Sequence, residues 1–342
     1  MTRTRPLFGK RKRPGRTVLR LLLAIVIILV VIVATGSTYQ LIAARMDASK
    51  YPPPGQLIDV GGYNMHISCL GTGSPPVIFN TGQGVMSLNW LPLQEMVAKF
   101  TTACAFDRAG YGWSDLGPTP RTSELMAAEL KALLEGAGVE GPYVLVSHSI
   151  AGIHDRVFAR LNPDLVAGMV LVDTSHHNQT ERMGMSSDLS PLLQSLRRCT
   201  WLSLIGYNRL TGTFADRPIY DIDLRDQAAA KLGQTHTCQA YYDEASAFHE
   251  SFSQAGLSTD FGDIPLWVLT GTAKGQDLEP DEAQALIEVW LELQREMLGF
   301  STNSHHVIVE DSAHYIHNDH PEIVLQAIQA VVGEVRGSTD RE

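Results

Sequence analysis

The chain has 342 residues, 44% of them apolar and 19% charged, with a formal net charge of −10. This length and composition suit a large hydrophobic core and exclude a disordered chain, a collagen-like repeat or a small disulfide-dense scaffold. Eight of the 27 basic side chains stand within the first 20 residues and no acid precedes Asp47, so the remainder is strongly acidic. That remainder excludes a nucleic-acid partner, because phosphate binding needs clustered Lys and Arg.

The basic tail, residues 1–17, leads into an unbroken apolar run from Leu21 to Ala34. With Val18, Leu19 and a snorkelling Arg20 the run reaches residue 18, and as a helix it spans about 26 Å, close to the roughly 30 Å of a bilayer core. Residues 18–36 are therefore expected to form a transmembrane signal-anchor. The positive-inside bias places the N-terminus in the cytoplasm and the rest of the chain outside it. Ala34-Thr35-Gly36 also has the small-residue spacing of a signal-peptide cleavage site, and cleavage there would leave a secreted protein instead. Residues 37–55, ending in Pro52-Pro53-Pro54-Gly55, read as a linker.

From residue 56 strands and helices alternate, which predicts a mostly parallel sheet with helices on both faces. Leu57–Val60 and Tyr63–Cys69 form a hairpin-like pair broken at Gly61-Gly62. Strands follow at Pro76–Asn80, Thr102–Phe106, Tyr143–Val146, Gly168–Val172, Pro265–Leu269 and His306–Val309. Helical spacing marks Leu88–Phe100, Thr122–Leu134, Asp281–Leu298 and Glu322–Val335. Residues 56–173 and 264–336 are assigned to this core. Residues 174–263 contain no clear strand, and a loop of that length without structure is improbable in a compact domain, so they read as a helical insert. In an exported chain Cys199 and Cys238 could staple that insert, although four buried thiols (with Cys69 and Cys104) fit as well.

The chemistry begins at Val144-Leu145-Val146-Ser147-His148-Ser149-Ile150-Ala151-Gly152. A buried strand runs directly into a helix with a serine at the junction. A turn sharp enough to lift a side chain clear of the sheet tolerates only small residues two positions to either side. Ser149 has Ser147 and Ala151 there, whereas Ser147 would have Leu145. This is the strand–nucleophile–helix elbow, with Ser and Ala in place of its outer glycines. His314-x-x-His317-x-x-His320 invites a metal reading, but no H-E-x-x-H pattern accompanies it and Pro321 truncates any helix, so no metal is expected. His317 and His320 read as rim or surface residues, and His148 as structural.

Several further segments make the chain resemble the α/β-hydrolase superfamily, in its serine-hydrolase and esterase branches. Asn80-Thr81-Gly82-Gln83-Gly84 follows the third strand, where the family usually carries a His-Gly turn. Asp107-Arg108-Ala109-Gly110-Tyr111-Gly112-Trp113-Ser114 is similar to the family's loop after the fourth strand. Ser312-Ala313-His314 with Pro321-Glu322 is similar to the ending that carries the catalytic histidine. The resemblance covers roughly residues 56–336 and implies an α/β-hydrolase fold in which residues 174–263 form a helical lid.

The resemblance implies a triad of Ser149 as nucleophile, His314 as base and an orienting acid. The serine hydroxyl needs an adjacent base, and an imidazole titrates in the useful range. The developing oxyanion needs preorganised donors, assigned to the main-chain N–H groups of Gln83 and Ile150. For the acid, the family's usual register after Val268-Leu269-Thr270-Gly271 puts Lys274 where a carboxylate is wanted and Asp277 three residues late. Asp173, at the end of the preceding strand, is the assignment, with Asp277 the alternative. Asp107 reads as an anchor of its glycine-rich loop. The expectation is a membrane-tethered hydrolase that cleaves a small-molecule carboxylic ester or related acyl bond without a cofactor. An amidase, thioesterase, carbon–carbon hydrolase or cofactor-free perhydrolase on the same triad, or a non-catalytic membrane-anchored binding protein, is the alternative.

Overall fold

The computed structural model describes residues 14–215, 217–275 and 278–339. Most of the basic tail and the alternative acid Asp277 lie outside the described residues. The chain opens with a helix, Pro14–Lys50, whose most apolar 18-residue window has a mean hydropathy of 3.1 and no buried residue. Residues 37–50, expected as linker, continue this helix. No proline interrupts them before Pro52, and Gln40 and Asp47 find partners on the insert.

Among the described residues eight strands form one sheet: β1 (Gln56–Asp59), β2 (Asn64–Leu70), β3 (Val77–Asn80), β4 (Ala103–Asp107), β5 (Tyr143–His148), β6 (Val166–Val172), β7 (Leu266–Gly271) and β8 (Ser304–Val309). Their spatial order is β1-β2-β4-β3-β5-β6-β7-β8. β2 is antiparallel to both its neighbours, and every other pair is parallel. The chain steps from β3 outward to β4, then returns to place β5 on the other side of β3. That reversal opens a crevice at the carboxyl ends of β3 and β5, the general binding position in open α/β sheets.

Side chains alternate between the two faces because the strand period is two. On one face Ile78, Leu145, Met169, Leu171 and Val268 pack with Leu130, Leu133, Leu134, Ile153, Val157 and Phe158. The latter six come from helices Ser123–Gly136 and Ala151–Leu161. On the other face Phe79, Val144, Val146, Val170 and Leu269 meet Leu93 and Val97 of helix Leu91–Val97, and Ile328 and Val331 of helix Pro321–Thr339. Burial on both faces explains the continuous β-branched runs. Asp59 Oδ1 accepts from the N–H groups of Gly61 and Gly62 at the hairpin turn, and Thr122 Oγ1 caps the helix that starts at Ser123.

Residues between β6 and β7 fold into helices that include Ser190–Leu204, Tyr207–Leu210, Arg225–Leu232, Thr237–Ser246 and Phe248–Gly256. Cys199 and Cys238 are disulfide-bonded and tie two of these helices together. Cys69 and Cys104, opposite each other in the β2–β4 ladder, form a second disulfide.

Candidate active site

Ser149 leaves β5 with φ 59°, a left-handed conformation that strains a residue with a side chain. The surroundings over-determine it. Its N–H reaches the Val172 carbonyl (3.4 Å), and its own carbonyl accepts from Gly152 (3.2 Å) and Ser175 (2.9 Å). Gly152 must lack a Cβ, which would stand 2.5 Å from Thr174 Cβ. Ser147 is buried and donates to Asp155 Oδ2 at 2.5 Å, so its hydroxyl is already committed.

Asp173 directly follows β6 with φ 48°, the second such strained side-chain residue among those described, and its N–H is held by the Leu269 carbonyl (2.8 Å). Its carboxylate is fully buried. Oδ2 meets His314 Nδ1 at 2.6 Å, while Oδ1 accepts from Trp290 Nε1 (2.9 Å) and the Gly271 N–H (3.1 Å). Lys274 Nζ also reaches Oδ2 at 2.6 Å and lies over the Trp290 ring, 4.6 Å from its centroid. The lysine that occupies the expected acid register is therefore a partner of the acid one strand away.

His314 follows β8 and faces Ser149 Oγ with Nε2 at 2.9 Å. Its loop comes close to the sheet because Gly271 has no side chain: a Cβ there would stand 2.1 Å from the Ala313 carbonyl oxygen. His148 secures the loop from below, its Nε2 2.9 Å from the His314 carbonyl. Burial first, then the nearby His314 and His317, push the His148 pKa well below its usual value. The ring is thus neutral, with its proton on Nε2 to donate. His317 is buried rather than on the rim, 4.1 Å from the Trp90 ring and 2.6 Å from Asn89 Oδ1. Burial lowers its pKa to about 3, with His314 adding to the effect. Among the described residues no cluster of His, Cys, Asp and Glu has the arrangement of a metal site.

The Thr81–Gly84 turn abuts the serine. A Cβ on Gly82 would stand 3.2 Å from Ser149 Cβ and 2.9 Å from His148 Nδ1. Among the described residues the main-chain N–H groups of Gln83 and Ile150 donate to no protein acceptor, and Ile150 directly follows Ser149 in the chain. Arg108 holds the turn from behind: Nη1 donates to the Thr81 carbonyl (2.5 Å) and Asn80 Oδ1 (2.9 Å), and Nη2 to the Gly82 carbonyl (3.1 Å). Its counter-ion is Glu244 of the insert at 3.1 Å, both side chains being buried. Burial opposes ionisation of Glu244, but Arg108 and His154 outweigh it and hold its pKa at about 2. Among the described residues no cation stands at contact distance from Asp155, and burial raises its pKa to about 6. Asp107 anchors its loop as expected, accepting from the N–H groups of Ser87 (2.7 Å) and Trp113 (3.2 Å).

Residues 72–327 match the model of the alpha/beta hydrolase family. The chain belongs to that family. Its membership makes the chain a hydrolase in class. An AB hydrolase superfamily protein of Gibberella zeae is 25% identical over 290 residues, covering 77% of this chain and 87% of its own. A thermophilic esterase from Thermogutta terrifontis shares the fold with a TM-score of 0.58, at 22% identity over 82% of this chain and 98% of the other. The Cif epoxide hydrolase from Acinetobacter nosocomialis gives a TM-score of 0.64 at 17% identity, covering 86% and 96%.

The Arg108–Glu244 and Lys274–Asp173 pairs escaped the sequence reading. Each had a local signal, Arg108 in the Asp-Arg-x-Gly loop and Lys274 at a position where an acid was expected.

Proposed function

We propose that the chain is a membrane-tethered serine hydrolase that cleaves a carboxylic ester or related acyl bond through an acyl-Ser149 intermediate. The observation that carries this reading is the unbroken relay from Ser149 Oγ to His314 Nε2 (2.9 Å) and from His314 Nδ1 to Asp173 (2.6 Å). His314 takes the serine proton as Oγ attacks the carbonyl carbon, and Asp173 keeps the ring aligned and stabilises the imidazolium. The N–H groups of Gln83 and Ile150 receive the oxyanion. The imidazolium then protonates the departing alcohol. In the second half His314 deprotonates a water that attacks the acyl carbon, releasing the acid and restoring Ser149. A serine at this position argues against epoxide opening, where the family carries an aspartate.

In this reading the helix through residues 18–36 crosses the bilayer with the basic tail in the cytoplasm, and residues 174–263 serve as the lid. The apolar run, exposed along its whole length, supports the tether. Fluorophosphonate labelling and hydrolysis of p-nitrophenyl esters of increasing chain length test the chemistry. Labelling at Ser149, lost in Ser149→Ala together with turnover, is the expected result; a labelled or active Ser149→Ala variant overturns it. Protease protection of the folded domain in sealed spheroplasts, and its loss on their disruption, would contradict the assigned topology.

A further inference from the structure

The end of the apolar run is locked to the insert. Gly36 lies so close to the Ile205 carbonyl that a Cβ would stand 2.3 Å from the oxygen, and Gly206, with φ +70°, lies against Tyr39 and Gln40. Buried Gln40 donates from Nε2 to the Gly233 carbonyl (2.8 Å) and accepts from Arg209 Nε (3.1 Å), while Arg209 pairs with Asp47 at 2.5 Å. Residues 204–207 are thereby fixed beside the point where the chain leaves the apolar run.

The surface at this junction is apolar. Trp201 is 67% exposed, Leu204 43%, Tyr207 49% and Leu210 66%. They recur every third residue across helices Ser190–Leu204 and Tyr207–Leu210. These exposed apolar side chains flank the Ile205–Gly206 contact with Gly36 on both sides, and apolar exposure of this kind marks a contact surface. Continuity identifies what covers them. The run from Val18 to Val33 is exposed throughout, and only hydrocarbon satisfies it. The residues at its end then stand at the lipid–water boundary, where Trp and Tyr are favoured by their apolar rings and polar tips. Arg198 is exposed three residues before Trp201 and carries a charge that an anionic headgroup would pair with.

We propose that the face carrying Trp201, Leu204, Tyr207 and Leu210 rests in the interfacial layer of the bilayer that holds the N-terminal helix, its partner being a phospholipid surface. This rests on the tether proposed above. The Cys199–Cys238 bond joins the seated helix to helix Thr237–Ser246, whose Tyr241 lies against Gly84 and whose Glu244 holds Arg108. The insert so held links the membrane surface to the turn beside Ser149, and the substrates it meets are amphipathic esters that partition into the interface.

The full chain, reconstituted into phosphatidylcholine–phosphatidylglycerol vesicles with and without phosphatidylcholine brominated near the headgroup end of its acyl chains, tests this by tryptophan quenching. The expected result is strong bromolipid quenching in the wild type and a several-fold smaller effect in Trp201→Phe. Equal quenching of the two proteins in floated vesicles overturns the proposal and leaves the tether intact. A Trp201 shielded from both bromolipid and aqueous acrylamide would mean that a second copy covers the face, and also overturns it. Failure to float with the vesicles removes the tether and this proposal together. Fluorophosphonate labelling in detergent, unchanged in Trp201→Phe, keeps the hydrolase reading separate from all of these outcomes.

Discussion

Lys274 Nζ and His314 Nδ1 reach the same carboxylate oxygen, Oδ2 of Asp173, each at 2.6 Å. A buried carboxylate needs several donors to remain in place, and Trp290 and Gly271 complete the set on Oδ1. The lysine thus shares the charge that would otherwise act on the imidazole alone. Asp173→Asn is expected to lower kcat by about 10⁴-fold, the loss seen when a triad acid elsewhere is neutralised with its geometry kept. Lys274→Met should cost far less, because His314, Trp290 and Gly271 still hold the carboxylate in place. Steady-state kinetics on both variants measure this.

Glu244 and Asp155, both fully buried, should act on stability in opposite directions. Glu244 has its pKa lowered from 4.5 to about 2, so its contribution is complete above pH 4.5 and is lost as pH falls toward 2, on the order of 3 kcal/mol. Asp155 has its pKa raised from 3.8 to about 6, so its contribution is complete below pH 3.8 and is lost as pH rises through 6, by a similar order. Urea unfolding across pH 2–8 should show both limbs. Asp155→Asn should flatten the upper one. Glu244→Gln should flatten the lower one and cost roughly 3–5 kcal/mol at neutral pH, because it leaves the buried Arg108 charge without its partner.

The parts of the fold and site that rest on local sterics were legible in the sequence. A turn that leaves a strand for a helix with φ positive at a serine demands small neighbours, and Ser147, Ala151 and Gly152 meet that demand on the printed chain. The continuous apolar strands are likewise short-range statements. What escaped depends on partners distant in sequence. The helix passes through residues 37–50 in contact with an insert whose Gly233 is 193 residues beyond Gln40. Cys69 meets Cys104 because β2 pairs with β4 and leaves β3 on the far side, an adjacency that spacing alone does not encode. Lys274 joins Asp173 across 101 residues of chain.

Gly82 separates requirements of the site from requirements of the fold. Its hypothetical Cβ points at His148 Nδ1 and Ser149 Cβ rather than into the core. Gly82→Ala should therefore push the turn away from the serine and misplace the Gln83 N–H, with a loss of kcat of about 10²-fold or more, in the range of removing one oxyanion donor. Thermal unfolding should shift far less than it does in Gly152→Val, where the new side chain meets Thr174 within the nucleophile turn. If Gly82→Ala kept full turnover, the turn would have no part in charge stabilisation.

Gly36 makes the corresponding test at the end of the apolar run. The Ile205 carbonyl occupies the space a Cβ would need, and backbone on both sides leaves no flexible atom to yield. Gly36→Val should part the helix from the insert, break the Gln40–Gly233 and Arg209–Asp47 links, and leave the eight-stranded sheet untouched. Hydrogen exchange on the reconstituted protein would then show faster amide exchange across residues 203–210 and 229–233, with β3, β5 and β6 unchanged. A variant that retained wild-type protection over residues 203–210 would mean that the close approach of Gly36 to Ile205 does not hold the insert in place.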